Sequence, residues 1–473
     1  MKKGIQTEMF EELESKEIFE FAKACAYHYQ ETVSERNVYP TEEALNDLQH
    51  FAEELPSSPT PAKAVIELLN RYGSPATVTQ TGGRYFGFVT GGAVPVGLAA
   101  KWLSDFWDQN PAMQVLSPVS AKLEVVVEKW LQQLFNLPER TAAGFVSGSF
   151  AATFCSLAAA RYRILKRKGW DVNEKGLYNC PPIRIVTSKQ AHSTVLKAVG
   201  LLGFGKENIE WVNTDEQGRI KKDEIPDLDD NTIIILQAGN VNSGCYEDFE
   251  TICNKANKVN AWVHIDGAFG LWANAVHKLK HLTKGIEKAN SWAVDGHKTL
   301  NTPYDCGIIL CEDREALVSA LHMSGSYIVT GNERDGMFYT PEMSRRSRII
   351  ELWAVMKYLG KEGINEMVWG LHQRATQFAE ILRNNGFEIL NEVVFNQILV
   401  YYKTDEDTMN ILKKVQELRE CWCGGSEWQG KKVIRISVCS WATTEEDIIK
   451  SALSFSKAKE QTVQKKKEPH YTT

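Results

Sequence analysis

The sequence predicts an α/β fold, a mostly parallel sheet covered by helices on both faces, followed by a smaller C-terminal α+β domain. Three observations carry this expectation. Between about residues 144 and 311, short β-branched runs alternate with helical stretches, the rhythm of a parallel sheet. Four of those runs are followed at once by polar residues, and ligands of open α/β sheets bind at the C-terminal ends of strands. Beyond about residue 345 the pattern changes to long helices and then to two further strands, which marks a second domain.

The elements follow in chain order. Residues 8–34 are charged and amphipathic, with Phe10, Leu13, Ile18, Phe19, Phe21 and Ala22 among the apolar positions, and read as helix. Helices are also expected over 41–51 and 62–72, separated by Pro56, Pro59 and Pro61. This segment, 1–80, has no core of its own and is expected to pack on a partner subunit or on the main domain. Residues 82–97 are rich in glycine and aromatics, a composition that suits close backbone approach at a ligand or interface, or a plain irregular loop. A helix over 116–137 has an apolar face of Leu123, Val126, Val127, Trp130, Leu131 and Leu134.

The clearest strands are 183–187, 232–236, 261–265 and 291–294, with helical stretches near Val195, Phe249 and Leu279. Further on, helices are expected over 345–358 and 367–384, and strands over 397–402 and 433–438. Thr443-Thr444-Glu445-Glu446 has the form of a helix N-terminal capping box. The resulting division is a helical segment at 1–80, a large domain at 81–345, a small domain at 346–455 and a disordered tail at 456–473, where Lys and Gln predominate.

Composition narrows the function. The chain has 473 residues, 43% hydrophobic and 24% charged, the profile of an ordinary soluble protein. A net charge of -6 argues against a nucleic-acid or anionic-membrane partner. The basic run Lys465-Lys466-Lys467 lies in the polar tail. No stretch approaches the length of a membrane-spanning helix. The 10 cysteines are irregularly spaced, without a redox or metal-ligand pattern, so no metal site is expected and a reducing cytoplasm fits best.

The chemistry concentrates at Asp295-Gly296-His297-Lys298, which follows the strand Ser291-Trp292-Ala293-Val294. Burial disfavours an ammonium, so a lysine at the end of a buried strand is expected to have a lowered pKa and to act as a nucleophile. Pyridoxal 5'-phosphate (PLP) is the cofactor that most often uses such a lysine. Taken alone, the motif also fits a solvated lysine after an ordinary strand. The other strand ends add to it. Gln190-Ala191-His192, Gln237-Ala238-Gly239-Asn240 and Asp266-Gly267-Ala268 each follow a strand. Asp266 could bond a pyridine nitrogen and keep it protonated, or cap a helix. Ala268 is small enough to lie against a ring face. His192 could stack on the other face or relay protons, or be structural. Ser147-Gly148-Ser149 precedes a helical run over 150–165, where backbone N–H groups and the helix dipole favour a phosphate dianion.

This ordered set, with Gly239-Asn240-Val241-Asn242-Ser243-Gly244 and His264-Ile265-Asp266-Gly267-Ala268, resembles the group II PLP-dependent amino-acid decarboxylases over roughly residues 82–449. The family includes the glutamate, aromatic L-amino-acid, histidine and diaminobutyrate decarboxylases. The resemblance implies a PLP-dependent transferase-like fold of type I, with a mostly parallel seven-stranded sheet, and a homodimer with active sites at the subunit interface. It implies that Lys298 forms the internal aldimine, Asp266 pairs with the pyridine nitrogen, Ala268 touches the ring and His192 stacks over it. Ser147, Gly148, Ser149 and His297 would lie around the phosphate, with Asp295 nearby and Asn240 among the cofactor-facing residues. Residues 82–92 and Gln109-Asn110 would line the substrate side, partly from the neighbouring subunit.

Two departures stand out. Many relatives read Gly-Thr-Thr where this chain has Gly239-Asn240-Val241. Relatives also carry a mobile loop whose tyrosine protonates the intermediate after carbon dioxide leaves. The corresponding region here, about 322–345, contains Tyr327 and Tyr339. Tyr339 is the expected donor, and Gly331, Asn332-Glu333-Arg334-Asp335 and Gly336 suit a lid. The implied reaction is decarboxylation of an L-amino acid to its amine. A PLP aminotransferase or carbon–carbon lyase, and a non-catalytic binding relative, are the alternatives. The substrate side chain is left open: Arg84 could hold an acidic one, and Trp107, Phe86 and Phe88 an aromatic one.

Overall fold

The computed structural model describes residues 4–323 and 334–465. Tyr327, Gly331, Asn332 and Glu333 lie outside the described residues, as do Lys466 and Lys467.

The large domain is built on a seven-stranded sheet. Its strands are β1 (Ala142–Val146), β2 (Arg184–Ser188), β3 (Ile209–Val212), β4 (Thr232–Gln237), β5 (Trp262–Asp266), β6 (Ser291–Asp295) and β7 (Gly307–Cys311). They lie side by side in the order β1-β7-β6-β5-β4-β2-β3. Only β7 runs against its neighbours. Every residue of β4, β5 and β6 is buried, as expected when helices cover both faces. Trp292 and Trp272 fill the core beneath the sheet ends, fully buried. The four strands expected from sequence match β2, β4, β5 and β6 to within a residue or two.

The small domain carries an antiparallel sheet of β8 (Glu388–Ile389), β9 (Gln397–Tyr401), β10 (Gly424–Trp428) and β11 (Lys431–Ser437), in the order β10-β11-β9-β8. β10 and β11 form a hairpin in which Trp428 faces Lys431. Its two loop residues, Gln429 and Gly430, both have positive φ, as this tight turn requires. The helix Ile349–Asn384 links the domains and breaks at Gly360, where φ is 59°; this matches the two helices expected there.

Three expectations are corrected. The N-terminal helix divides at Lys16, where φ is 60°, into Ile5–Ser15 and Glu17–Thr32. Residues 456–465, expected to begin a disordered tail, continue the helix Glu445–Lys465. The cause is an apolar stripe, Ile448, Ala452, Phe455 and Ala458, that is buried against the small domain. The capping box forms with Asp447 as its acid: Thr444 Oγ1 accepts from the Asp447 N–H at 3.1 Å, and Asp447 Oδ2 accepts from the Thr444 N–H at 2.9 Å. Among the described residues, no helix is long and apolar enough to cross a membrane.

Candidate active site

The sheet order brings the polar strand ends together. β6, β5, β4 and β2 are consecutive neighbours, and they end at Asp295, Asp266, Gln237 and Ser188. Cα pairing places Asp266 beside Gln237 on one side and Ala293 on the other. Residues from four distant stretches thereby share one crevice, where open α/β sheets bind ligands.

Lys298 stands on the turn after β6. Its Nζ lies 2.9 Å from Asp295 Oδ2. Asp295 is 1% exposed, and its carbonyl accepts from Trp272 Nε1 at 2.9 Å. Burial is the largest influence on the lysine and pulls its pKa down, but Asp295 and then Asp266 oppose it, and the net shift is upward. The expected lowered pKa is therefore corrected: the ammonium has an acid three residues upstream that outweighs its desolvation.

The lysine turn is tied in place by Asn301, which is fully buried with a positive φ. Its Nδ2 donates to the carbonyls of Lys298, Thr299 and Cys439, and its Oδ1 accepts from the N–H groups of Gly92 and Trp441. One side chain thus joins the lysine turn, the glycine-rich segment and the small domain. Gly91 packs so closely here that a Cβ would stand 2.1 Å from the Lys298 carbonyl oxygen, so only glycine fits.

Asp266 is buried at the end of β5, and burial pushes its carboxyl above the usual range while His192 and Lys298 pull it back. Its Oδ1 accepts from the Ala268 N–H at 3.2 Å. His192 is the N-cap of helix Ser193–Leu201, its Nδ1 accepting from the Thr194 N–H at 3.3 Å. Burial lowers its pKa, with Lys298 and Arg435 adding to the effect and Asp266 opposing it. The imidazole is therefore neutral at pH 7, and it both caps a helix and faces the acid–amine pair.

At the other end, β1 leads through Ser147 into Gly148, the N-cap of helix Ser149–Arg167. No side chain caps this terminus among the described residues, so its first-turn N–H groups are free for an anion. A Cβ on Gly148 would fill the space 3.6 Å from His297 Cε1 and 3.7 Å from Asp295 Oδ1. Gly307 is the constrained partner, since a Cβ there would run into the Gly148 backbone. His297 Nδ1 accepts from the Cys306 N–H at 3.0 Å, which leaves the ring proton on Nε2. Asp295 Oδ1 is buried and has no hydrogen-bond partner among the described residues. An amine, a buried acid, a neutral histidine and an open helix N-terminus with a histidine donor are the set that PLP requires, so these residues fit the cofactor.

Not every expected residue reaches this crevice. Asn240 is turned into its own loop, its Oδ1 accepting from the Asn242 and Ser243 N–H groups. Ser147 is exposed at the mouth. Tyr339 is held elsewhere: its hydroxyl accepts from Arg314 Nη1 at 2.9 Å, and its ring lies 3.7 Å from the Arg334 guanidinium carbon. The described part of the expected lid is anchored as well. Arg334 Nε lies 2.8 Å from Glu124 Oε2, and Arg345 Nη2 lies 2.7 Å from Glu124 Oε1, all three residues being buried. Arg84 is engaged by Glu420 and the Ser34 carbonyl, and Phe86 is fully buried against Phe378 in the small domain. Neither is free to select a substrate.

Two residues that sequence reasoning missed, Tyr304 and Arg435, join the site, beside Tyr85 of the expected 82–92 segment. Tyr304 stacks on His297, with ring centroids 4.4 Å apart. Arg435, on β11, donates to the Val241 carbonyl at 2.8 Å, and burial lowers its pKa to about 10. Tyr85 faces Arg435 and Tyr304, its phenol pushed up to about 12 by burial. Only the position of Tyr304, six residues after Lys298, offered a signal in the sequence.

Known proteins are similar to this chain in sequence and in fold. The family described as "Pyridoxal-dependent decarboxylase conserved domain" matches residues 45–403. An aromatic-L-amino-acid decarboxylase of Drosophila lebanonensis is 27% identical over 379 residues, covering 75% of this chain and 92% of the relative. One from Bacillus atrophaeus is 25% identical over 423 residues, covering 84% and 86%. Among solved structures, mouse CSAD superposes with a TM-score of 0.86 at 18% identity, covering 94% of this chain and 98% of that one. Catharanthus roseus tryptophan decarboxylase in complex with L-tryptophan superposes with a TM-score of 0.83 at 18% identity, covering 94% and 98%.

Proposed function

Because this chain belongs to the pyridoxal-dependent decarboxylase family, we propose that it removes the α-carboxylate of an L-amino acid, with Lys298 as the amine that carries the cofactor by a Schiff base. The observation that carries this reading is the convergence of Lys298, Asp266 and His192 at adjacent strand ends, each acting electrostatically on the others.

Bound PLP would supply an aldehyde for covalent attachment and a ring that draws electrons from the substrate's α carbon. Lys298 would be the amine that attaches the cofactor, with Asp295 Oδ2 2.9 Å from its Nζ. Asp266 would hold a proton at the ring nitrogen, and His192 and Ala268 would flank the ring. The N–H groups of Gly148 and Ser149 and the Nε2–H of His297 would hold the phosphate. Arg435 is a half-buried cation near Tyr85 that would take a substrate carboxylate. Which bond breaks is a matter of how these residues orient the substrate.

The same reading makes the protein a homodimer with shared sites. Among the described residues, neither N-terminal helix buries a side chain, and Met9, Phe10 and Leu13 are exposed, as are Trp102, Leu103 and Phe106 on helix Pro95–Trp107. A cavity of about 1050 Å³ between these helices is lined by Cys25, Ile66, Leu98 and Trp441. A second copy would cover this apolar surface. All 10 cysteines are free, which suits a reducing compartment such as the cytoplasm.

The test is to load the purified protein with PLP, offer each common L-amino acid, and measure carbon dioxide and amine together. Equal release of both from at least one amino acid is expected. Transfer of the amino group to a keto acid without carbon dioxide would overturn the assignment in favour of an aminotransferase, and no turnover of any amino acid would overturn it altogether.

A further inference from the structure

We propose that Tyr304 is a positioning residue that holds His297 for the cofactor's phosphate; the proposal rests on the PLP reading above. The imidazole of His297 is fixed at one corner, where Nδ1 accepts from the Cys306 N–H at 3.0 Å. A ring held by one in-plane bond can still tilt about that bond. Tyr304 removes this freedom by lying against the ring face, with centroids 4.4 Å apart and planes 29° apart. The Nε2–H then points toward Asp295 Oδ2, 3.7 Å away, and the space before Gly148 at the open helix terminus.

Tyr304 is itself held in place through the chain, with Thr90 beside its hydroxyl. The next residue, Asp305, is gripped by Arg346 Nη2 at 3.0 Å and Arg348 Nη2 at 3.3 Å, and its carbonyl accepts from Arg346 Nη2 at 2.9 Å. The ring is nonetheless 51% exposed. Burial in a core therefore does not account for an aromatic residue here, whereas support of a neighbouring imidazole does. A flat ring also excludes water from that face, which strengthens a hydrogen bond from Nε2 to an anion.

Because Tyr304 would act through the phosphate-facing histidine, its loss should be felt by PLP and not by pyridoxal, which lacks the phosphate. The experiment measures the affinity of the full-length apoprotein for both compounds in wild type, Tyr304→Ala, Tyr304→Leu and Tyr304→Phe. The Ala and Leu variants are expected to bind PLP about three- to tenfold more weakly, the range of one aromatic pair, with pyridoxal affinity unchanged. The Phe variant, which keeps the stack, is expected to match wild type for both. Should the Ala variant fail to fold, the Leu and Phe pair decides in the same way. Equal weakening toward both compounds, or unchanged PLP affinity in the Ala and Leu variants, would overturn the proposal while leaving the cofactor reading intact. A wild-type chain that took up neither compound would overturn the cofactor reading and this proposal with it.

Discussion

Asp295 Oδ2 lies 2.9 Å from Lys298 Nζ across a turn of three residues. The carboxylate is almost fully buried, so its charge is poorly screened and holds the lysine protonated against the pull of burial. The amine that the proposed chemistry needs is stored as an ammonium beside its own proton acceptor.

Replacing Asp295 with Asn should release this hold. An opposite charge at this range shifts a pKa by about 1–3 units, so in Asp295→Asn the lysine should lose its proton at lower pH than in wild type. The pH midpoint for covalent PLP uptake by the apoprotein should fall by at least about one unit. An unchanged midpoint would show that Asp295 does not govern the lysine.

Asp266 is assigned to the ring nitrogen, not to attachment. Asp266→Asn should keep the covalent PLP adduct and its absorbance while kcat falls on the order of a hundredfold or more, the usual loss for one buried electrostatic contact in a transition state. Loss of the adduct itself would place Asp266 in cofactor attachment instead.

Tyr339 is structural on this account. Its hydroxyl accepts from Arg314, so Tyr339→Phe should lower stability by about 1 kcal/mol, the net worth of one hydrogen bond, and leave kcat near wild type. Urea unfolding and steady-state rates measure the two effects. A large drop in kcat with unchanged stability would return Tyr339 to the reaction.

The Glu124 cluster should fail on acidification. Burial pushes its carboxyl up, but Arg345 and Arg334 outweigh that and hold it below the usual 4.5. A depressed folded pKa gives stability that is complete above the unfolded value and is lost as pH falls through the folded one, so this contribution should disappear only below about pH 4.5. Glu124→Gln should cost about 3–5 kcal/mol at neutral pH, the penalty for breaking a buried pair, and should flatten the acid limb of the stability curve. A Gln variant as stable as wild type would mean that the two arginines are satisfied without it.

The strands legible in sequence were those with β-branched residues in continuous runs, such as Thr232–Gln237. β1, with Ala142, Ala143 and Gly144, lacks that signal, and β3 is only four residues long. That Lys298, Asp266 and His192 lie near the ends of sheet strands was readable, because each follows a strand. Arg435 and Asn301 were not, because their roles depend on how the small domain and the glycine-rich segment meet the lysine turn. Asn240 was misread since an amide after a strand also suits a loop-capping role. The direction of the lysine shift was misread because burial was weighed without the acid three residues away.

Borohydride reduction of the PLP-loaded protein, followed by peptide mapping, tests the central assignment most directly. The account predicts a single reduced pyridoxyl group on Lys298 in wild type and none in Lys298→Ala. A pyridoxyl group on another lysine in wild type, or one retained by the Ala variant, would contradict it.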